Sequence, residues 1–382
     1  MNRIGIFVFY DSHGIADPYI DHLLDSLSQY VNRLIIMVNG TMTDSSRHRL
    51  SAFSKEIIDR SNTGFDAGAY KEAILDYLWE EDWRNWDELL LFNDTFYGPV
   101  VPWSEVFEIM ESSNADFWGL SSYPGGFDST GNPLPEHVQA YFLVCRHKML
   151  HSTLFKDFWE QLLCPRTRIE AILKFEIGFS VFFHQLGFVG ASYLEVQNPD
   201  FIRKENQNYY LEMPWELLAN YRFPVIKRKA LGIEYFKEAR KSICYLRDET
   251  DFPHQMIIEH LDRLDRQGEI GPFSPVRLEK FYHSHKRIYI YGNGTYGKGV
   301  AAYFHFKGWT FENVLVSKKQ IDSEDVICFS DLKLSDGDGI ILALGRQAFL
   351  QVYPTLQNEV NSDQLFLPGG CDLPEIRKEQ TE

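Results

Sequence analysis

Cysteine is scarce in this chain. The five residues Cys145, Cys164, Cys244, Cys328 and Cys371 are odd in number, scattered, and include no C-x-x-C pair. That excludes a disulfide framework and a thiolate zinc site as organising devices, so the thiols read as small core residues. Long hydrophobic runs are missing as well. No stretch approaches the roughly 18 apolar residues of a spanning helix. The start, Met1-Asn2-Arg3-Ile4-Gly5-Ile6, enters a strand pattern directly, without the parts of a secretory signal. The expected location is the cytoplasm. Positive charge is in deficit, with 38 Lys and Arg against 54 Asp and Glu and a formal charge of −16. Such a surface repels phosphate backbones, so nucleic acid is not an expected partner. The one notable basic cluster is Lys227-Arg228-Lys229. There is no internal repeat and no low-complexity tract. What is present is apolar material, 44% hydrophobic and 15% aromatic over 382 residues, enough for two domains with a sizeable core each.

The most informative segment is Asp87-Glu88-Leu89-Leu90-Leu91-Phe92-Asn93-Asp94-Thr95-Phe96-Tyr97-Gly98-Pro99, an apolar run of strand length that discharges into Asn-Asp-Thr. In open α/β sheets ligands sit beyond the carboxyl ends of strands, which places Asp94 for chemistry. The alternative is that Asn93 and Asp94 only close the strand with an Asx-turn. Around this segment, strands are expected at Ile4–Tyr10, Arg33–Val38, Lys55–Asp59 and Leu89–Phe92, with helices at Tyr19–Tyr30 and Ala67–Trp79. This βαβαβαβ series predicts a mainly parallel sheet with helices on both faces. Strands at Ala115–Leu120 and Ala140–Cys145 follow, with helices at Phe155–Leu163 and Ile169–Leu186.

Leu231–Gly268 is helical and highly charged, and the Gly/Pro-rich stretch Gly268–Pro275 reads as a turn region. A second α/β unit then opens with the strand Lys286–Tyr291, the G-x-G-x-x-G loop Gly292-Asn293-Gly294-Thr295-Tyr296-Gly297 and the helix Lys298–Lys307. Its further strands are expected at Val314–Val316, Val326–Phe329, Gly339–Leu344 and Gln364–Leu367, and the charged end Glu375–Glu382 is expected to fray. The organisation is therefore α/β throughout: residues 1–230 as the first domain, 231–284 as a helical linker region, and 285–375 as a smaller Rossmann-like domain.

Two further places attract chemistry. Ser61-Asn62-Thr63-Gly64-Phe65-Asp66-Ala67-Gly68-Ala69-Tyr70-Lys71 combines an Asn-Thr-Gly turn with two glycines, so that backbone can approach a ligand before a helix begins. Asp66 either caps that helix or holds a base or ribose. Glu176, in an otherwise apolar helix, is costly unless paired, exposed or working. A partly desolvated Glu suits proton abstraction, whereas pairing with Lys174 or facing water would make it structural.

The chain resembles the rhamnan synthesis protein F family of bacterial polysaccharide glycosyltransferases. The motifs that carry the resemblance are Asn62 to Lys71, Leu91 to Pro99, Asp116-Phe117-Trp118-Gly119-Leu120, His137-Val138-Gln139-Ala140-Tyr141-Phe142-Leu143, Glu176-Ile177-Gly178 and Phe223-Pro224-Val225-Ile226-Lys227-Arg228. They occur in order over roughly residues 1 to 230. The resemblance implies a GT-A fold, a Rossmann-like sheet that binds a nucleotide sugar, with Asn62, Gly64, Asp66, Lys71 and Asn93 among the donor-binding residues. It implies a divalent cation, Mg²⁺ or Mn²⁺, held at Asp94. Here Asn93-Asp94-Thr95 departs from the usual Asp-x-Asp by offering one carboxylate. It implies Glu176 as the base of an inverting transfer, with dTDP-β-L-rhamnose as donor and a lipid-linked cell-surface glycan as acceptor, at the inner face of the cell membrane. His137 and Gln139 are expected to bind sugar hydroxyls, unless His137 only satisfies a loop carbonyl. Lys227 is expected to meet donor phosphates or anionic lipid, unless it lies in a solvated turn.

Two other readings compete. One is a nucleotide-binding oxidoreductase or sensor built on Gly292 to Gly297; Glu312 lies near the spacing of a ribose-binding acid, but the second strand ends in Ser317-Lys318 without one. The other is a non-catalytic scaffold of a polysaccharide assembly complex. For the appended module itself, a structural, acceptor-binding or oligomerising role is expected ahead of redox chemistry.

Overall fold

The apolar run near the amino terminus forms the strand Arg3–Phe9, whose seven residues are all buried. Burial on both faces is what a continuous rather than alternating apolar pattern demands. It pairs in parallel with Arg33–Asn39 on one side and Glu88–Asn93 on the other. The seven-stranded sheet runs in the order Gly190–Ser192, Phe117–Gly119, Phe142–Arg146, Glu88–Asn93, Arg3–Phe9, Arg33–Asn39, Glu56–Arg60. Only Phe142–Arg146 is reversed, antiparallel to both of its neighbours. The computed structural model describes residues 1–78, 83–128, 131–318 and 325–369. Trp79, Cys371 and the tail Glu375–Glu382 lie outside the described residues.

The chain forms two compact units, one of Met1–Lys227 with Glu249–Met256 and the other of Arg228–Asp248 with Ile257 onward. The second holds a five-stranded, all-parallel sheet in the order Val326–Cys328, Val314–Val316, Arg287–Tyr291, Asp338–Leu342, Leu365–Phe366. Three helices precede it, Phe236–Glu249, Gln255–Gln267 and Pro275–Ser284. The first two are separated at Phe252-Pro253, because proline removes an amide donor and disfavours helical backbone in the residue before it. Among the described residues no helix is long and apolar enough to cross a membrane.

Two helices depart from the expected pattern. Ala67–Trp79 is observed as Phe65–Glu72 followed by a wide i→i+5 stretch, Ala73–Leu78. Ile169–Leu186 is observed as Arg168–Ala171, a second wide stretch Ile172–Ile177, and Gly178–Gln185. Such π segments recur at functional sites, and Glu176 lies in one. Periodicity cannot distinguish one extra residue per turn over a single turn. Helices at Asp44–Leu50 and Trp103–Glu111 were not expected from the pattern. The first is short and polar but capped, with the Thr43 hydroxyl accepting the Ser46 N–H at 3.2 Å.

The base of the central strands is tied by charge. Glu88 accepts from Arg3 Nε at 2.8 Å and from Arg146 Nε at 3.2 Å, and Arg3 also stacks on the Phe107 ring. The Arg3 and Glu88 side chains are only 5% and 3% exposed. Deleting the shared carboxylate strands buried cations. Glu88→Ala is therefore expected to cost about 3–5 kcal/mol in denaturant unfolding, and a loss under 1 kcal/mol (roughly the surface-pair value) would show the network to be dispensable.

Candidate functional site

The strand Glu88–Asn93 delivers Asn93 and Asp94, each 5% exposed, at its carboxyl end. The two residues divide the work. Asn93 Oδ1 accepts the Thr95 N–H at 3.1 Å and the Thr95 hydroxyl at 2.6 Å, so the Asx-turn belongs to Asn93. The Asp94 carboxylate accepts the Tyr10 N–H at 3.3 Å, and its carbonyl accepts the Tyr19 hydroxyl at 2.9 Å. Asp94 is thus held from the end of the neighbouring strand and from the helix that follows it.

Asn93 also reaches across to the adjacent loop, where its Nδ2 donates to Asp66 at 2.7 Å. Asp66 does not cap its helix, contrary to one expectation. Gly64, at φ 81°, stands at the N-cap, and Asp66 sits in the first turn. The glycines answer to close packing, against the distant Cys164 and within the loop: a Cβ on Gly64 would stand 2.5 Å from Cys164 Sγ, and one on Gly68 2.3 Å from the Thr63 carbonyl. Asn62 is half-buried beside them. Lys71 is not brought to this cluster. It lies five residues from Asp66, about 140° around the helix, and its ammonium donates to the Glu160 and Leu162 carbonyls at 3.0 and 2.8 Å.

Burial raises the Asp66 pKa. The Asn93 hydrogen bond and the charges of Lys227 and Arg168 pull it back, and Glu176 pushes it up again. The Tyr70 hydroxyl, one helical turn on, is buried with no hydrogen-bond partner among the described residues, and burial together with the charges of Asp66 and Asp94 holds its pKa well above the ordinary value. A carboxyl raised in the folded state favours the fold when protonated, and that stability is lost as pH rises through the folded pKa. Asp66→Asn keeps an acceptor for Asn93 and removes this titration. The variant is expected to gain melting temperature over wild type progressively from acidic to neutral pH, as functional sites trade stability for charge. A constant difference across that range would mean that Asp66 is not strained.

Glu176 is held across the sheet end. Its Oε2 accepts the Ala140 N–H at 3.1 Å, and Ser180, one turn on, accepts the Val138 N–H at 3.0 Å. Lys174 pairs with Glu170 at 2.7 Å, so it is not the partner of Glu176. The other carboxylate oxygen, Oε1, lies 3.6 Å from His137 Nε2. His137 Nδ1 is 2.8 Å from the Pro135 carbonyl, which can only accept, so Nδ1 carries a hydrogen and Nε2 faces the carboxylate. The loop-carbonyl contact and the contact with Glu176 thus coexist. Gln139 is buried, accepting the Ser121 hydroxyl at 2.6 Å and bonding Tyr210, whose pKa burial pushes up to about 12.

Lys227 is 8% exposed, which corrects the solvated-turn reading. The short strand Ile226–Lys227 pairs with Phe96–Tyr97, which carries the ammonium to the Thr95 hydroxyl and 4.0 Å above the Tyr141 ring. Burial raises the Tyr141 pKa far above its ordinary value, so the ring is neutral and the contact is cation–π. Sequence reasoning missed Thr95, Arg168 and Tyr210 as members of this group. Arg168 lies about two turns before Glu176 on the same helix, which was the available signal.

A resident ion cage is not what these side chains make. Among the described residues no group of three or more His, Cys, Asp or Glu side chains is placed to hold a metal. Mg²⁺, however, is characteristically bound by one or two carboxylates together with substrate phosphates. Asp94 fits an ion shared in that way.

In the second unit, Gly292 (φ 123°) and Gly297 are required by packing: a Cβ would stand 2.4 Å from the Ala343 carbonyl and 1.8 Å from the Gly292 carbonyl, respectively. Gly294 faces open space. Glu312 precedes the strand Val314–Val316, at the opposite end from Ser317, which bonds Tyr291 at 2.9 Å. It is therefore at the wrong end of the strand for a ribose at the loop.

The model of the family described as rhamnan synthesis protein F matches residues 34–291. The chain belongs to the rhamnan synthesis protein F family. The match runs past residue 230, where the motif resemblance stops, through the three helices and to the end of the strand Arg287–Tyr291. The fold is α/β in both units, a seven-stranded mainly parallel sheet followed by a five-stranded parallel one. An uncharacterized protein of Sinorhizobium fredii is 24% identical over 187 residues, 48% of this chain. The aligned part spans just under half, 46%, of that relative's length. Solved structures also overlap the chain, among them the following two. A protein provisionally assigned as a nucleotide-diphospho-sugar transferase from Desulfovibrio desulfuricans has a TM-score of 0.34 and 12% identity, covering 70% of this chain and 98% of its own. The 4-diphosphocytidyl-2C-methyl-D-erythritol synthase of Anaerococcus prevotii has a TM-score of 0.33 and 9% identity, covering 50% and 86%.

Proposed function

We propose that this chain is an inverting nucleotide-sugar glycosyltransferase, with dTDP-β-L-rhamnose as donor and a lipid-linked cell-surface glycan as acceptor, working at the inner face of the cell membrane. The observation that carries the reading is the convergence of Asp66, Asn93 and Asp94, and of Glu176 and Lys227, in one mutually felt electrostatic group at the carboxyl end of the sheet. The rhamnosyl donor rests on family membership.

In this reading Glu176 Oε1 takes the proton of the acceptor hydroxyl, and the acceptor oxygen forms its bond to the anomeric carbon. The bond from that carbon to the diphosphate breaks, with inversion. The electron pair leaves with the nucleoside diphosphate, whose charge meets the Lys227 ammonium. Mg²⁺ or Mn²⁺ at Asp94, when bound with the donor, supplies further charge neutralisation on the leaving group. His137 and Gln139, one beside Glu176 and the other under Tyr210, orient sugar hydroxyls.

A panel of nucleotide sugars tests this, read by calorimetric binding and by release of the nucleoside diphosphate with Mg²⁺ or Mn²⁺. The expected result is binding and turnover for one donor class, dTDP-rhamnose first. Absence of binding to every nucleotide sugar would overturn the proposal.

A further inference from the structure

The stretch that leads into the helix of Glu176 exposes what the rest of the fold buries. Leu163 is 72% exposed, Ile169 56%, Ile172 42% and Leu173 50%. Ile169, Ile172 and Leu173 stand at i, i+3 and i+4 and so share one face of the helix. Phe175 and Phe179 of the same helix are buried in the core cluster. The apolar outward face is therefore additional to the packed one. Between Leu163 and Lys174 its rim is basic: Arg166 and Arg168 are exposed, and Lys174 is half-buried beside Glu170, the one acid within that span, with Glu160 before it and Glu176 after it. Three cations against one carboxylate, in a chain of charge −16, make this a local inversion of sign.

Apolar side chains ringed by Lys and Arg are what an anionic bilayer surface recognises: the hydrocarbon parts enter the interface and the cations meet lipid phosphates. Continuity with the site is on the same helix. Arg168 lies within the electrostatic reach of Asp66 and Tyr210, and Glu176 follows two turns later.

We propose that Leu163, Ile169, Ile172 and Leu173, with Arg166, Arg168 and Lys174, form the surface on which this chain rests on an anionic membrane. The consequence for catalysis rests on the proposed transferase reading: a membrane-borne acceptor then arrives beside the helix that carries Glu176. Docking itself does not depend on that reading.

The test is co-sedimentation of the full chain with vesicles of phosphatidylcholine, with and without phosphatidylglycerol. Binding is expected to the anionic vesicles, weakened by high salt. Ile169→Glu with Leu173→Glu should weaken it roughly tenfold or more, with an unchanged melting temperature because both sites are exposed. Arg166→Gln with Lys174→Gln should abolish the preference for phosphatidylglycerol while leaving the fold intact. Equal binding of wild type and both variants would overturn the proposal. So would self-association that persists without vesicles and is lost in the Glu variant, which would assign the patch to a second copy of the chain. Vesicle binding by a chain that binds no nucleotide sugar would leave this surface standing and overturn the transferase reading alone.

Discussion

Glu176→Gln is expected to lower transfer by roughly 10²–10⁴-fold while donor affinity and melting temperature stay close to wild type. The geometry makes the substitution clean. The Gln carbonyl oxygen can keep the Ala140 N–H bond that Oε2 now accepts at 3.1 Å, and the amide can donate to His137 Nε2, which faces Oε1 at 3.6 Å. Shape, hydrogen bonding and the stitching of the helix through Ser180 survive; the capacity to accept a proton does not. Measured kcat against donor Kd decides the matter. Near-normal turnover, or donor affinity and stability lost together, would return Glu176 to a structural role. The base would then have to be sought among Asp66, Asp116, Asp128 and Glu136. Of these, Asp116 is paired with Lys148 at 2.9 Å and Glu136 with Arg203, so Asp66 would be the first to test.

Asp94→Asn is expected to separate binding of the ion from integrity of the fold. Asn retains an oxygen for the Tyr10 N–H, and the backbone carbonyl that Tyr19 holds is untouched. The Asx-turn belongs to Asn93 and also survives. What disappears is the carboxylate that would share a cation with the donor diphosphate. Transition-state stabilisation by such an ion amounts to several kcal/mol, so turnover should fall by roughly 10²-fold or more at one decade per 1.4 kcal/mol. Calorimetric titration of Mn²⁺ into the chain with nucleoside diphosphate present should show an ion bound by wild type and not by the variant. Without the nucleotide, neither protein should hold it, since the described residues make no three-ligand cage. Unchanged turnover and unchanged Mn²⁺ binding in Asp94→Asn would reduce Asp94 to a turn residue.

The parts of this molecule that its sequence determined by itself are those whose signal is local. The buried strands Arg3–Phe9, Arg33–Asn39 and Glu88–Asn93 were legible because burial on both faces requires an unbroken apolar run. The Gly292 to Gly297 loop was legible because a strand, a glycine turn and a helix follow one another within a few residues. Asp94 could be singled out because it sits at the end of such a strand, and the ordered motifs were enough for the family.

What only the tertiary structure decided depends on residues far apart in the chain. Phe142–Arg146 reverses between two parallel neighbours, and nothing in its composition records direction. For Lys227 the pattern left a phosphate-binding cation and a solvated turn both open, and it is buried because pairing with Phe96–Tyr97 sets its ammonium on Tyr141, 86 positions earlier in the chain. Asp66 read either as a cap or as a ligand-binding carboxylate; it does not cap, and it is drawn to Asn93 because the loops after two strands of one sheet open toward the same end. The wide turn at Ile172–Ile177 lies below the resolution of hydrophobic periodicity. Local propensity specifies which segments become strands and helices, whereas long-range burial and charge pairing decide which of their side chains meet.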